Sequence, residues 1–133
     1  MIYSFQEIAE NNLIMDALDR IREQVENHPI VIYMKGTPQL PQCGFSSRAV
    51  QALQACGVDF AYVNVLADPE IYQNLPTYAN WPTFPQIYVS SELIGGCDIT
   101  LELHQKGELK QLLEQAALKP KAETTPNASD SKE

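Results

Sequence analysis

The chain of 133 residues is long enough for one domain of ordinary size but short for two. Apolar residues make up 44% of it and charged residues 20%, so the composition supports a hydrophobic core and excludes a wholly disordered chain. The net charge of −8 argues against nucleic acid or an anionic membrane as a partner, because binding to phosphates needs clustered Lys and Arg. No apolar run approaches the roughly 20 residues that cross a bilayer, and the first residues lack a signal-peptide pattern, so we expect an unexported, cytoplasmic protein.

The first half of the chain predicts two helices and two strands. Residues 13–27 carry apolar side chains at helical spacing, and the helix should end before a proline at position 29. Ile30–Met34 is a continuous apolar run typical of a strand that is buried on both faces. A loop rich in proline over residues 35–42 leads to a helix from Gly44 that ends near Gly57, and Phe60–Val65 predicts the second strand.

The second half predicts a short helix, a hairpin and two further helices. Asp68 and Pro69 should open the short helix, which Pro76 should cut or bend. The hairpin pairs Gln86–Val89 with residues 92–94, and Asp98 should cap a helix that ends near residue 106. The order αβαβαββα(α) predicts an α/β fold, with a central mixed sheet and helices on both faces.

Both ends of the chain are predicted to lie outside this domain, which we assign to residues 13–118. Residues 1–12 are too few to form a separate domain and are interpreted as a short extension. Residues 119–133 contain almost no large apolar side chains, so we expect a disordered polar tail.

The three cysteines, at positions 43, 56 and 97, fit neither a disulfide framework nor a CxxC zinc site. Cys43 lies where a loop meets the first turn of a helix, in a stretch over residues 27–58 that contains Lys35 and Arg48 but no Asp or Glu. The helix dipole and these cations should lower the pKa of the Cys43 thiol, which makes it a candidate thiolate. The alternative is an inert buried cysteine, the interpretation we favour for Cys56 on the apolar face of the same helix.

Several motifs resemble those of one family. They are Lys35, the loop Thr37–Gln42, the run Cys43-Gly44-Phe45-Ser46, the run Trp81-Pro82-Thr83-Phe84-Pro85, and the run Gly95-Gly96-Cys97-Asp98. Together the sequence resembles a monothiol glutaredoxin of the CGFS class over about residues 14–118. The resemblance implies a thioredoxin-like fold with a four-stranded mixed sheet, glutathione binding, and a role in holding and transferring [2Fe–2S] clusters.

The resemblance also implies a role for individual residues. Lys35 would pair with the glycyl carboxylate of glutathione, although a solvated loop lysine is the alternative. The backbone of Phe84, before a cis proline, would bond the cysteinyl part of glutathione. Cys97 and Asp98 would hold the γ-glutamyl end, and for Asp98 a helix-capping role is compatible with this. One departure is Tyr72, since many members of the class have an arginine at this position that shares the glycyl carboxylate.

The position that would hold a second, resolving thiol is occupied by Ser46, so fast disulfide cycling is not expected. A single thiolate is, however, a ligand for iron, and clusters are usually held by four. The family solution is a homodimer in which Cys43 of each subunit and two glutathione thiolates complete the set. The resemblance further implies BolA-like proteins and apo iron–sulfur proteins as partners. Two alternatives stay open: a glutathione-dependent thiol transferase that uses Cys43 alone, and a structural adaptor without a cofactor.

Aromatic residues near the Trp-Pro motif and the two histidines carry weaker signals. Tyr78 and Trp81 could form a binding platform, but aromatic residues beside a turn are more often part of a core. His28 should lie at a helix end, and His104 on a helix surface or facing a partner.

Overall fold

The computed structural model describes residues 16–118, which form a four-stranded sheet covered by helices on both faces. The elements in chain order are α1 (Ala17–Asn27), β1 (Ile30–Met34), α2 (Gly44–Ala55), β2 (Ala61–Asn64), a 3-10 helix (Val65–Ala67), α3 (Pro69–Ala79), β3 (Gln86–Val89), β4 (Glu92–Gly95), α4 (Cys97–Gln105) and α5 (Glu108–Leu118). This order confirms the predicted fold class. Residues 1–15 and 119–133, which include the predicted extension and the polar tail, lie outside the described residues.

The sheet has the strand order β2-β1-β3-β4. Strands β1 and β2 are parallel, whereas β3 pairs antiparallel with both β1 and β4. All five residues of β1 are buried, as the continuous apolar run predicts for a central strand. The turn between β3 and β4 consists of Ser90 and Ser91, both with positive φ angles, which is the geometry of a tight hairpin.

Alternate side chains of β1 separate the core into two layers. Ile30, Ile32 and Met34 pack with the apolar faces of α2 and α5 on one side of the sheet. Val31 and Tyr33 pack with α1 and α3 on the other side. This arrangement directs the end of β1 and the start of α2 to one edge of the domain.

Helix α3 is not cut at Pro76, since it runs through this residue and ends only at Ala79. Pro76 removes one backbone donor, but the helix carries the fully buried Leu75 and packs against the core below it. Asn80 then ends the helix in the left-handed conformation, and the Trp81 N–H donates to the Pro76 carbonyl (3.1 Å). Tertiary packing therefore outweighs the local cost of the proline.

Other boundaries shift by a few residues. Asp16 is the N-cap of α1 rather than a helical residue, since its carboxylate accepts from the Asp19 N–H at 2.9 Å. Strand β2 spans only part of Phe60–Val65, because its last residue enters the 3-10 helix. Gly57 has a positive φ of 73° just after α2, as predicted. No helix within residues 16–118 is long and apolar enough to cross a membrane.

Candidate functional site

A cavity of about 700 Å³ opens where the loop after β1, the loop before β3 and the N-termini of α2 and α4 meet. Its lining includes all five residues that the sequence analysis assigned to a binding site, namely Lys35, Cys43, Phe84, Cys97 and Asp98. Residues that are up to 63 positions apart therefore meet on one surface. The cavity is the candidate functional site, and three backbone segments determine its shape.

The first segment carries Cys43, which is the N-cap residue of α2 and is partly exposed. Its side chain makes no capping hydrogen bond. The pKa of its thiol is nevertheless lowered by its surroundings. The largest cause is the backbone N–H of Ser46, and the N–H of Phe45 and the charge of Lys35 act in the same direction, while burial opposes them. The first turn of α2 contains no acidic residue that would raise the pKa again. Cys43 is thus the cysteine of the site that ionises most readily.

Ser46, which occupies the position where a resolving thiol would be, stabilises the backbone beside Cys43. Ser46 is fully buried, and its Oγ accepts a hydrogen bond from the Lys35 N–H at 3.1 Å. This bond ties α2 to the end of β1, while the Gln42 N–H donates to the Lys35 carbonyl (2.9 Å) and closes the loop. Gly36 has a φ of 99°, and a Cβ there would lie 2.6 Å from both the Gln42 backbone nitrogen and the Leu40 carbonyl oxygen. The backbone that carries the lysine is therefore fixed beside the thiol.

The second segment is the loop before β3, which contains a cis peptide bond between Phe84 and Pro85. The resemblance implied this bond. The loop is held from below by Gln86, a fully buried residue whose Nε2 donates to the carbonyls of Trp81 (3.0 Å) and Thr83 (3.2 Å). The exposed side of the loop therefore presents Phe84 to the cavity on a fixed backbone.

The third segment is the start of α4, where the structure corrects one prediction. The N-cap is Gly96 and not Asp98, whose exposed side chain lies in the first turn of the helix. A Cβ on Gly96 would lie 3.0 Å from the Pro85 carbonyl oxygen, so a side chain there would require the two segments to move apart by a few tenths of an ångström. The Thr100 hydroxyl donates to the Gly96 carbonyl at 2.7 Å and fixes this turn. Asp98 keeps its place on the cavity wall and, at a helix N-terminus, lies where a carboxylate is favourable.

The three cysteines are free, and their surroundings separate them chemically. Burial raises the pKa of the Cys97 thiol, and the nearby negative charges of Asp98 and Cys43 raise it further, although Arg48 acts in the opposite direction. Burial also raises the pKa of Cys56, which packs in the core beneath α2 as predicted. Only Cys43 combines partial exposure with a lowered pKa.

Some contributors to the site carry no signal in the sequence. Gln86 lies at the start of an apolar strand, and nothing in the alternation of residues shows that its amide faces a neighbouring loop.

Tyr78 packs against the core as expected, whereas Trp81 is half-buried and lines the cavity. The ring N–H of Trp81 is buried with no partner within residues 16–118. His104 is exposed in the last turn of α4, and His28 follows the end of α1.

No group of three or more His, Cys, Asp or Glu side chains within residues 16–118 could hold a metal ion. The described part of the chain therefore offers a single thiol with a lowered pKa and one nearby ammonium rather than a closed metal site. Such a set suits a small acidic thiol compound or a centre that is shared with other molecules.

Comparisons with known proteins agree with this geometry. The glutaredoxin family model matches residues 30–94. The chain is 57% identical over 106 residues to Glutaredoxin 4 of Escherichia coli, which covers 80% of this chain and 92% of that protein. The solution structure of reduced poplar apo GrxS14 matches with a TM-score of 0.64 and 43% identity, over 74% of this chain and 91% of the other. The crystal structure of a buckwheat glutaredoxin–glutathione complex matches with a TM-score of 0.68 and 25% identity, over 81% and 96%.

These matches and the four-stranded mixed sheet identify the fold as thioredoxin-like. Cys43 is followed by Gly44, Phe45 and Ser46, so no second thiol stands at the resolving position. The chain belongs to the glutaredoxin family, in its monothiol class.

Proposed function

We propose that this monothiol glutaredoxin binds glutathione in the cavity beside Cys43 and holds a [2Fe–2S] cluster across a homodimer, for storage, transfer and assembly of clusters. The observation that carries the proposal is the lone thiolate at the start of α2, which lies on a cavity wall with Lys35 and with a serine where a resolving thiol would be. This arrangement suits a ligand thiolate better than a disulfide exchanger.

Glutathione has an acidic group at each end, and the cavity offers a suitable partner for each part. Lys35 provides a cation for the glycyl carboxylate, and the backbone of Phe84 provides strand-like hydrogen-bonding groups for the cysteinyl part. The N-terminus of α4, at Cys97, offers N–H groups for the γ-glutamyl carboxylate, while Asp98 can pair with its ammonium. Cys97 would act through its backbone, because its side chain is buried. The buckwheat complex supports glutathione as the ligand of a related cavity.

The donor set fits a shared cluster. A [2Fe–2S] cluster is usually held by four thiolates, and the described residues contribute one thiol with a lowered pKa at the cavity and no cluster of three or more metal-binding side chains. One Cys43 and one glutathione thiolate from each of two subunits would complete four ligands. When bound, the cluster is the cargo, and the chain's own residues hold the thiolates and orient glutathione.

The partners of such a carrier are proteins that receive the cluster. We propose apo iron–sulfur proteins as acceptors and BolA-like proteins as partners that replace one subunit. We assign this activity to the cytoplasm, where thiols stay reduced, and the three free cysteines are compatible with that compartment.

Anaerobic reconstitution tests the proposal. The full chain is incubated with iron, sulfide and glutathione, and its absorption and oligomeric state are measured. We expect a coloured dimer, which requires glutathione and is absent in Cys43→Ser. The buried Cys56→Ser is the matched control and should give the same coloured dimer as the wild type. A colourless monomer from the wild type, or colour retained in Cys43→Ser, would overturn the proposal.

A second candidate is a glutathione-dependent thiol transferase that removes glutathione from proteins. The lowered pKa of Cys43 favours it, because the Cys43 thiolate can attack the glutathione sulfur of a protein mixed disulfide and release the protein thiol. External glutathione then attacks the Cys43–glutathione disulfide, which regenerates Cys43 and leaves glutathione disulfide. The discriminating assay couples reduction of a glutathione mixed disulfide to glutathione reductase. Rapid turnover that depends on Cys43 would make this the principal activity, whereas slow turnover with cluster binding would favour the carrier. A cofactor-free adaptor would instead keep all its partner interactions in Cys43→Ser.

A further inference from the structure

At the end of the cavity nearest α3, a lysine and two aromatic rings are in contact. The Nζ atom of Lys35 lies 5.8 Å from the centroid of the Tyr72 ring, within the range of a cation–π interaction. The other neighbour of Tyr72 is Phe84, whose ring centroid is 5.2 Å away at an interplanar angle of 54°. All three residues line the cavity.

The Lys35 ammonium has no carboxylate partner within residues 16–118. It is also the only cation in the described lining of the cavity. The Tyr72 ring attracts the ammonium through its negative face without neutralising it, so the ammonium remains able to donate to a ligand. A ligand at this end of the cavity therefore meets a single positive charge, the Lys35 ammonium, which is in contact with the Tyr72 ring.

The backbone that carries the Tyr72 ring is held in place by the packing of α3. Ile71 and Leu75, on either side of it in α3, are fully buried and hold the helix against the sheet. The Tyr72 N–H donates to the carbonyl of Asp68, the N-cap of α3, at 2.9 Å. Phe84 restricts the ring on one side, so Lys35 meets an aromatic face on a rigid support.

We propose that Tyr72 is a positioning residue, which holds the Lys35 ammonium at the cavity wall in a place suited to pairing with a ligand carboxylate. The inference rests on the proposed function insofar as glutathione is the ligand and its glycyl carboxylate occupies this end. The ring acts through the lysine and not by direct contact with the ligand. Its hydroxyl group is not needed for this role.

The test measures binding of reduced glutathione to the full-length reduced protein by calorimetry. Tyr72→Leu removes the ring and should weaken binding about two- to fivefold, the range expected for an exposed cation–π contact. Tyr72→Phe keeps the ring and should retain wild-type affinity. The loss should disappear when Tyr72→Leu is made in a Lys35→Met background, and also for glutathione with an amidated glycine, because the carboxylate–ammonium contact is then already absent.

Two results would overturn the inference. One is an unchanged glutathione affinity in Tyr72→Leu. The other is the same loss of affinity when Tyr72→Leu is made in the Lys35→Met background, which would indicate direct contact between the ring and the ligand.

A measurement without ligand distinguishes failure of this inference from failure of the proposed function. In the free protein, NMR should show the Lys35 side-chain protons shifted upfield by the ring, and the shift should vanish in Tyr72→Leu but persist in Tyr72→Phe. If this shift is present and the wild type fails to bind glutathione, the contact stands and the assigned ligand is wrong. If the shift is absent, the positioning role is wrong whatever the ligand.

Discussion

Replacing Gln86 by leucine should destabilise the domain and loosen one wall of the cavity. The amide of this fully buried residue donates to the carbonyls of Trp81 and Thr83, and its Oε1 accepts from the Tyr88 hydroxyl at 3.2 Å. Leucine has a similar volume but makes none of these three bonds. The substitution therefore leaves a hydroxyl without its partner in a residue that is only 3% exposed.

The expected cost follows from these contacts. Two lost hydrogen bonds to the loop contribute about 1 kcal/mol each, and the unsatisfied Tyr88 hydroxyl adds about 1 kcal/mol or more. The additional burial of apolar surface by leucine offsets part of this, so we expect a loss of about 2–3 kcal/mol in the free energy of unfolding. A domain of this size should remain folded after such a loss, since typical stabilities are about 5–15 kcal/mol.

Urea denaturation and glutathione calorimetry, performed on the same samples, measure the two effects. Gln54→Leu is the matched control, because Gln54 is exposed on α2 and faces no loop of the site. It should change the stability by less than about 0.5 kcal/mol. If Gln86→Leu were as stable as this control, the bonding role of the amide would be refuted. A large loss of stability with unchanged glutathione affinity would show that the loop keeps its shape without Gln86.

Three further predictions concern the thiolate, a close backbone approach and a buried ion pair. The folded protein lowers the pKa of Cys43, so the stability of the wild type relative to Cys43→Ser should increase as the pH rises from this lowered pKa to the pKa of the unfolded thiol, about 8.5. Urea midpoints of both proteins, measured at about pH 6 and about pH 9, test this expectation. A difference in stability that does not change with pH would contradict the lowered pKa. Gly96→Ala should cost about 1–3 kcal/mol and weaken glutathione binding, whereas Gly44→Ala, with open space around its Cβ, should do neither in the same assays. Asp68→Asn should cost about 2–3 kcal/mol in urea denaturation, because it removes the buried carboxylate partner of the Arg20 guanidinium and leaves only the exposed Glu70 at 3.4 Å, and a loss below about 1 kcal/mol would mean that the pair behaves as an exposed one.

The order of elements follows from the sequence because local patterns determine it. The apolar run of β1, the helical spacing in α2 and the pair of serines before β4 each specify their structure within a few residues. The meeting of Lys35, Cys43 and Asp98 at one cavity was expected only through the resemblance to a family. Spacing along the chain does not by itself show that the end of β1 and the start of α4 meet.

What the sequence could not show depends on contacts between distant segments. Asp98 has the local features of a helix cap, but the approach of Pro85 to the backbone makes Gly96 the first residue of that turn. Pro76 predicts that the helix is cut or bent there, yet α3 continues beyond it, with Leu75 buried in the core. In each case the local preference is worth about 1–3 kcal/mol, and packing elsewhere outweighs it.

The distribution of charge matters more for the site than the net charge of −8. The stretch without acidic residues, 27–58, folds into β1, the loop after it and α2, which are the elements that surround Cys43. No carboxylate from these elements can pair with Lys35 or raise the pKa of the thiol, and Asp98 enters the cavity from a different helix. An acidic protein thus keeps one ammonium beside a thiol whose pKa is lowered, and this ammonium supplies the local positive charge that an anionic ligand needs if it is to bind despite the overall charge.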